Sequence, residues 1–148
     1  MMRDKYRLDG SPYPDGAEGL KEWAQDFSDT RGRIVRQETL WNGIFLSTVW
    51  LGLDHRFGEQ GPPLIFETMA FNHVIQTTVE AVTFAGQSFR FYSYYQSLDD
   101  IQERYSTLED AALGHRWWKQ ELSSARWTLK LWWHMLREMV MNPEGEPG

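Results

Sequence analysis

The stretch Ser47–Phe71, STVWLGLDHRFGEQGPPLIFETMAF, decides how the chain folds. It opens within a run of β-branched and aromatic residues that starts at Ile44, and it closes on a second such run, Pro63–Phe71. Both suit the pleated, half-buried surface of a strand. Between them Asp54–Pro62 is charged and rich in Gly and Pro, which is loop composition. So short a connection joins neighbouring strands antiparallel, because a parallel return needs a longer crossover. The stretch therefore predicts two central antiparallel strands, Ile44–Leu53 and Pro63–Phe71.

Working outward, Asn42-Gly43 marks a hairpin, since both residues tolerate positive φ, and Arg33–Trp41 becomes the preceding strand. On the other side His73–Phe84 and Phe89–Tyr95 read as strands around a turn, Ala85-Gly86-Gln87-Ser88. Near the start, Tyr6–Tyr13 reads as a short extended segment. A helix follows, with Asp15 as N-cap, Glu18 three residues on, an apolar stripe of Leu20, Trp23, Ala24 and Phe27, and Gly32 as its stop. Ser106-Thr107-Leu108-Glu109 is a capping box that opens a long helix. Ala111, Trp118, Leu122, Ala125, Leu129, Trp132 and Leu136 recur along it at helical spacing, as a core-facing stripe would. The NPEGEPG tail, residues 142–148, is a helix stop and a flexible end. The expected fold is α+β: one domain over 1–148, with an antiparallel meander sheet of about four or five strands packed by a long C-terminal helix and a shorter N-terminal helix.

Composition narrows the function classes. With 148 residues, 24% charged and 41% hydrophobic, the chain is long enough for one core and too apolar for disorder. It has eight Trp and no Cys, which excludes disulfides, thiolate zinc sites and cysteine nucleophiles. The net charge of −6, shared between the halves at about −3 each, speaks against general nucleic-acid binding. MMRDKYRLDG lacks the apolar core of a signal peptide, and no apolar run is long enough for a membrane span, so a soluble cytoplasmic protein is expected.

Two sets of residues carry chemistry. Asp54, His55, Glu67 and His115 are the types that act as general bases or divalent-metal ligands. Glu67 lies in an otherwise apolar and Thr-containing strand, and His115 falls at the edge of the helix stripe. One reading is a small metal-assisted hydrolase. The other has Asp54 and His55 capping the loop while Glu67 faces water or pairs with an Arg. The spacing matches no HExxH motif, and P-loop, GxGxxG and GxSxG patterns are absent.

The second set lies on the long helix. Leu113, Trp117, Trp127, Leu131 and Met135 form a second apolar stripe, covered either by the rest of the fold or by an interface with another copy or a partner. Arg116, Lys119, Arg126, Lys130 and Arg137, with His134 among them, lie between the stripes. None of the five has an Asp or Glu three or four positions away. They are either a solvated face or a binding site for an anionic small molecule or an acidic partner, unless carboxylates from elsewhere pair with them.

YRLDG (6–10), STVWLGLDHRFG (47–58), GPPLIFETM (61–69) and RYSTLEDAALGH (104–115) resemble blocks of small uncharacterised proteins of actinobacterial phages and prophages. The resemblance implies a phage origin and places Asp54, His55, Glu67 and His115 in recurring blocks. The group carries no biochemical function to this chain. Together with the basic stripe and the surplus of Trp, a phage origin leads to an expected accessory binding protein without a cofactor, acting in the host cytoplasm and countering host defence by sequestering a nucleotide-like anion or by blocking a host protein. Against that group, 72–97 stands out as an added hairpin between FETM and RYST.

Overall fold

The turn at Leu40–Ile44 shows how the sheet begins. β1 (Ile34–Thr39) and β2 (Ile44–Trp50) pair antiparallel, with Thr39 opposite Phe45 and Gln37 opposite Ser47. The Leu40 N–H donates to the Ile44 carbonyl at 2.7 Å and the Gly43 N–H to the Leu40 carbonyl at 2.9 Å. Gly43 has a φ of 87°, which a residue without a Cβ adopts freely, whereas Asn42 keeps a negative φ. β3 (Phe66–Asn72) then pairs antiparallel with β2, with Val49 opposite Glu67. This is the fold-deciding hairpin, with each strand shorter than its apolar run.

The protein is seen in a computed structural model that describes residues 4–72, 77–78, 82–84, 87–89, 92–93 and 96–141. Beyond β3, β4 (Thr77–Thr78) pairs with β7 (Tyr92–Ser93), and β5 (Val82–Phe84) pairs with β6 (Gln87–Phe89), both antiparallel and nested. Gln87 and Ser88, expected in a turn, therefore belong to a strand. The rest of the strands expected over 73–95 and the tail 142–148 lie outside the described residues. β8 (Gln96–Tyr105) returns beside β3, and the four-stranded sheet has the order β1-β2-β3-β8.

One face of this sheet carries the core. Ile44, Leu46, Trp50, Phe66, Ala70, Ile101 and Tyr105 are buried on it, beneath a C-terminal helical segment. The buried side chains divide into two groups. Leu40, Ile44, Leu46, Ala70, Ile101, Leu122 and Leu131 lie together, and Tyr13, Trp50, Ile65, Phe66, Tyr105 and Ala111 form the other. Between them runs one register row, Arg36–Thr48–Thr68–Glu103, polar at every position.

α1 (Ala17–Ser28) packs at the Trp50 end. Trp23 stacks on Phe27 at 4.9 Å, and its Nε1 donates to the Gly52 carbonyl at 3.0 Å. The helix starts one residue after Gly16, whose φ of 97° sets the entry, and Asp15 is not its N-cap. It stops at Ser28 with Asp29 as C-cap, short of the Gly32 stop expected. There, Asp29 Oδ1 accepts from the Arg31 and Gly32 amides.

The single long C-terminal helix is two helices. α2 (Leu108–Leu122) opens on Thr107, whose side chain accepts the Asp110 N–H at 3.0 Å, one residue later than the Ser106 cap expected. α3 (Ala125–Met141) begins after a break at Ser123-Ser124. The break is held from outside. Asn42 Nδ2 donates to the Leu122 carbonyl at 2.7 Å, and Trp41 Nε1 donates to the Ser123 carbonyl at 3.0 Å. The β1–β2 turn thus satisfies carbonyls that a helix end leaves open.

Candidate functional site

The four candidate metal or catalytic residues do not converge. Asp54 organises its own loop: Oδ1 accepts from the Arg56 and Leu64 amides at 3.0 and 3.1 Å, and Oδ2 takes the Arg56 guanidinium at 2.6 Å. Burial pushes its carboxyl up, but the Arg56 and backbone hydrogen bonds outweigh that and hold it below the usual range. His55 Nδ1 sits 2.9 Å from the Leu53 carbonyl, and its ring meets the edge of Phe57. Glu67 is buried on the sheet face turned away from α2, where Arg104 Nε and Gln102 Nε2 donate to its Oε2 at 2.9 and 2.8 Å. His115 is on the opposite side of the sheet. Loop capping and an Arg pair account for the first three, and among the described residues no group of three or more His, Cys, Asp or Glu is placed to hold a metal.

His115 belongs instead to a chain of polar groups within the core. Thr68 Oγ1 and Thr48 Oγ1 lie 2.6 Å apart, Thr48 Oγ1 lies 2.8 Å from His115 Nδ1, and His115 Nε2 lies 2.9 Å from Glu38 Oε1. Lys119 Nζ donates to Glu38 Oε2 at 2.8 Å, and Arg36 reaches Glu38 from β1. Burial pushes His115 below its ordinary value of 6.5, against the opposing pull of Glu38, so the imidazole is neutral at pH 7. Burial raises the Glu38 carboxyl, but hydrogen bonds from Lys119 and His115 bring it below its usual range. An ionised carboxylate only accepts, so Nε2–H donates to Glu38, Nδ1 accepts from Thr48, and Thr48 accepts from Thr68. The order of hydroxyl, imidazole and carboxylate matches a nucleophile, its base and the group orienting it. Yet Thr48, Thr68 and His115 are all fully buried. No substrate atom reaches that hydroxyl, and what the chain does is fasten α2 to β1, β2 and β3.

The basic and apolar residues of the C-terminal segment are rearranged by the break. Of the five cations, Lys119 pairs with Glu38 and Arg126 with Glu121 at 3.2 Å, while Lys130 lies over the Trp127 ring at 4.7 Å. A carboxylate from elsewhere in the fold, Glu38 on β1, thus answers Lys119, and Glu121 of the same segment answers Arg126. The break divides the set, with Arg116 and Lys119 on α2 and Arg126, Lys130 and Arg137 on α3. The expected interface stripe is divided as well. Trp117 is exposed, but Leu131 is 4% exposed within the core and Trp127 packs against it. The Met135 and His134 side chains lie outside those described.

α3 exposes Leu129, Trp132 and Leu136, which were expected in the core, and Trp133 and Val140 with them. Leu129, Trp132, Trp133, Leu136 and Val140 are between 53% and 77% exposed. At about 100° per residue they fall within an arc of about 100°, roughly opposite Trp127 and Leu131. Arg126, Lys130 and Arg137 flank one edge of that arc.

Several members of these arrangements were not singled out in the sequence. Glu38, Thr48 and Thr68 form the buried chain with His115. The sequence signal was there: Thr48 and Thr68 are polar residues at core-facing positions of otherwise apolar strands. Trp133 and Val140 stand four and eleven positions after Leu129, so helical spacing alone already places them on the α3 stripe. A comparison of the chain with protein-family models, with curated proteins and with solved structures finds no match, so the chain's own residues carry the functional argument.

Proposed function

We propose that the protein is a non-enzymatic binding protein that docks an acidic protein surface through α3. The observation behind this reading is the exposed stripe Leu129–Trp132–Trp133–Leu136–Val140, edged by Arg126, Lys130 and Arg137. Five large apolar side chains leave on the order of 600 Å² in water, close to the ~800 Å² that each partner buries in a standard interface. Trp and Arg are the residue types that dominate such interfaces. A chain of net charge −6 that gathers three cations along one helix favours an acidic partner there.

A nucleotide-sized anion asks for a concave set of donors. None of the five cations lines the cleft between β8 and α2, the cleft beside Tyr13 and Trp50, or the cleft beside Pro62 and Pro63. A protein surface is therefore the partner class put forward, and the phage resemblance makes that partner, under this proposal, a host protein that the phage blocks. The hydrolase alternative has no comparable support, because its four residues stand apart.

The test is affinity capture from host-cell lysate with wild-type protein and with Trp132→Glu/Leu136→Glu. The double variant should keep the wild-type circular dichroism and melting temperature yet lose the captured protein at least a hundredfold. Arg126→Ala/Lys130→Ala should weaken capture by roughly 1–3 kcal/mol, and added salt should weaken it further. Identical capture by wild type and the Glu variant overturns the reading. A wild type that sediments as a dimer, with the Glu variant a monomer, would assign the stripe to a second copy.

A further inference from the structure

A second site lies away from α3, in an open groove of about 910 Å³ between β8 and α2. β8 closes the strand order, so its outer edge has no strand partner among the described residues. The groove wraps that edge. Gln102 and Arg104 line it from one sheet face, Glu103 and Tyr105 from the other, and Leu113, Trp117 and Trp118 from α2. An unpaired strand edge beside an apolar helix wall is the arrangement in which an extended peptide adds as a further strand.

The groove is built rather than incidental. Trp118 Nε1 and the Tyr105 hydroxyl both donate to Glu103 Oε2, at 2.6 and 3.0 Å, which fixes the carboxylate and leaves Oε1 without a protein partner among the described residues. Gly114 admits the Tyr105 ring, because a Cβ there would stand 2.2 Å from the hydroxyl. Trp117 meets Trp118 edge to face at 4.8 Å and remains 56% exposed, with its ring available to a cation. Arg104 does not cancel the acidity, since its guanidinium is held by Glu67 at 2.9 Å on the other face. Asp110, also on the groove, adds to it.

We propose that this groove takes an extended peptide that pairs with the outer edge of β8 and sets an Arg or Lys side chain between the Glu103 carboxylate and the Trp117 ring. The peptide backbone supplies main-chain hydrogen bonds, its apolar side chains lie on Leu113 and Trp117, and the cation supplies selectivity through a charge-assisted contact. This site goes beyond the proposed function: it shares no residue with the α3 stripe and takes a partner segment of the opposite charge.

The experiment uses the full chain and acetylated, amidated hexapeptides of alternating Thr and Val with one central position varied. Binding is read by amide and indole NMR shifts. The Arg and Lys peptides should shift the amides of 102–106 and the indole N–H signals of Trp117 and Trp118, and should bind at least tenfold more tightly than the Ala or Glu peptides. Glu103→Gln, whose amide oxygen still accepts from Trp118 and Tyr105, should remove that tenfold preference. The exposed Trp117→Ala should lower affinity without altering the melting temperature. N-methylation of alternate peptide amides should abolish binding. Equal affinity for the Arg and Ala peptides, shifts confined to α3, or free arginine amide binding as tightly as the peptide would each overturn the proposal. So would concentration-dependent shifts of 102–106 without peptide, which would give the edge to a second copy.

Discussion

α2 and α3 follow one another in the chain, both are amphipathic, and each carries an adjacent Trp pair, yet they turn their apolar sides in opposite directions. α2 hides Ala111, His115 and Leu122 against the sheet and exposes Leu113 and Trp117. α3 hides Leu131, half-buries Trp127, and exposes the larger set. In an unbroken helix, Leu122, Leu129, Trp132 and Leu136 would share a side, because spacings of three, four and seven residues return to one face. Two residues at Ser123-Ser124 reset that phase. The difference shows that burial here is decided by where the helix is interrupted, not by how apolar each half is.

The most direct way to break this comparison is to remove matched leucines from the two helices. Leu122→Ala, at a fully buried position, should cost about 2–5 kcal/mol. Leu129→Ala, which meets mainly water, should change stability by no more than about 0.5 kcal/mol. Urea denaturation of both variants checks it. Equal losses would mean that α3 packs with its stripe inward and that the exposed face does not exist.

The same contrast explains how much was readable from residues alone. The hairpin around Ser47–Phe71, the Asn42-Gly43 turn and the antiparallel α+β fold were legible, because alternation and turn residues are local signals. β8 was not, since Asp99, Asp100, Gln102, Glu103 and Arg104 obscure the alternation of Ile101 and Tyr105. Its pairing with β3 is a tertiary choice that overrides local composition. The helix break was hidden for the same reason. Ser123-Ser124 is weakly helix-breaking by itself, and the groups that hold it, Trp41 and Asn42, lie about eighty positions earlier. At the site, capping by Asp54 and an Arg partner for Glu67 were among the readings the residues allowed. The Glu38 partner of His115 and Lys119 was not, because β1 meets α2 only in three dimensions.

α2 also approaches the sheet more closely than α3 does, and Gly114 tests that closeness. In Gly114→Ala the new methyl would press on a Tyr105 ring that is buried and held by Glu103. Overpacking of this kind costs about 1–3 kcal/mol, against about 1 kcal/mol of helix propensity gained. A net loss is expected in denaturation. A net gain would show that α2 has room to lift.

The buried chain under α2 adds a dependence on pH that α3 lacks. His115 titrates below 6.5 in the folded protein, so the unfolded chain takes up the proton first. Its contribution to stability is fully present above about pH 6.5 and is lost as pH falls from there through the lower folded value. Glu38 and Asp54, both held below their usual range, add losses at still lower pH. In His115→Leu the loss that begins near pH 6.5 should vanish from a plot of unfolding free energy against pH, while the lower limb remains. An unchanged upper limb would detach His115 from it.

The smallest expected effect concerns the break itself. Asn42 Nδ2 donates to the Leu122 carbonyl at 2.7 Å, and its Oδ1 lies 3.4 Å from the Ile44 N–H, so one side chain joins the hairpin turn to the end of α2. Asn42→Ala removes that link. Leu122 is buried but Asn42 is only half-buried, so water entering the space left by the amide replaces part of what is lost, and the cost should be about 0.5–1.5 kcal/mol. Trp41 still donates to Ser123, and Trp127 and Leu131 still anchor α3 in the core, so the helices should not fuse. Acrylamide quenching of tryptophan fluorescence should therefore match wild type, because Trp132 and Trp133 stay in water. A marked fall in quenching would mean that Asn42 alone holds the phase of α3, and that removing the cap swings the exposed stripe back toward the sheet.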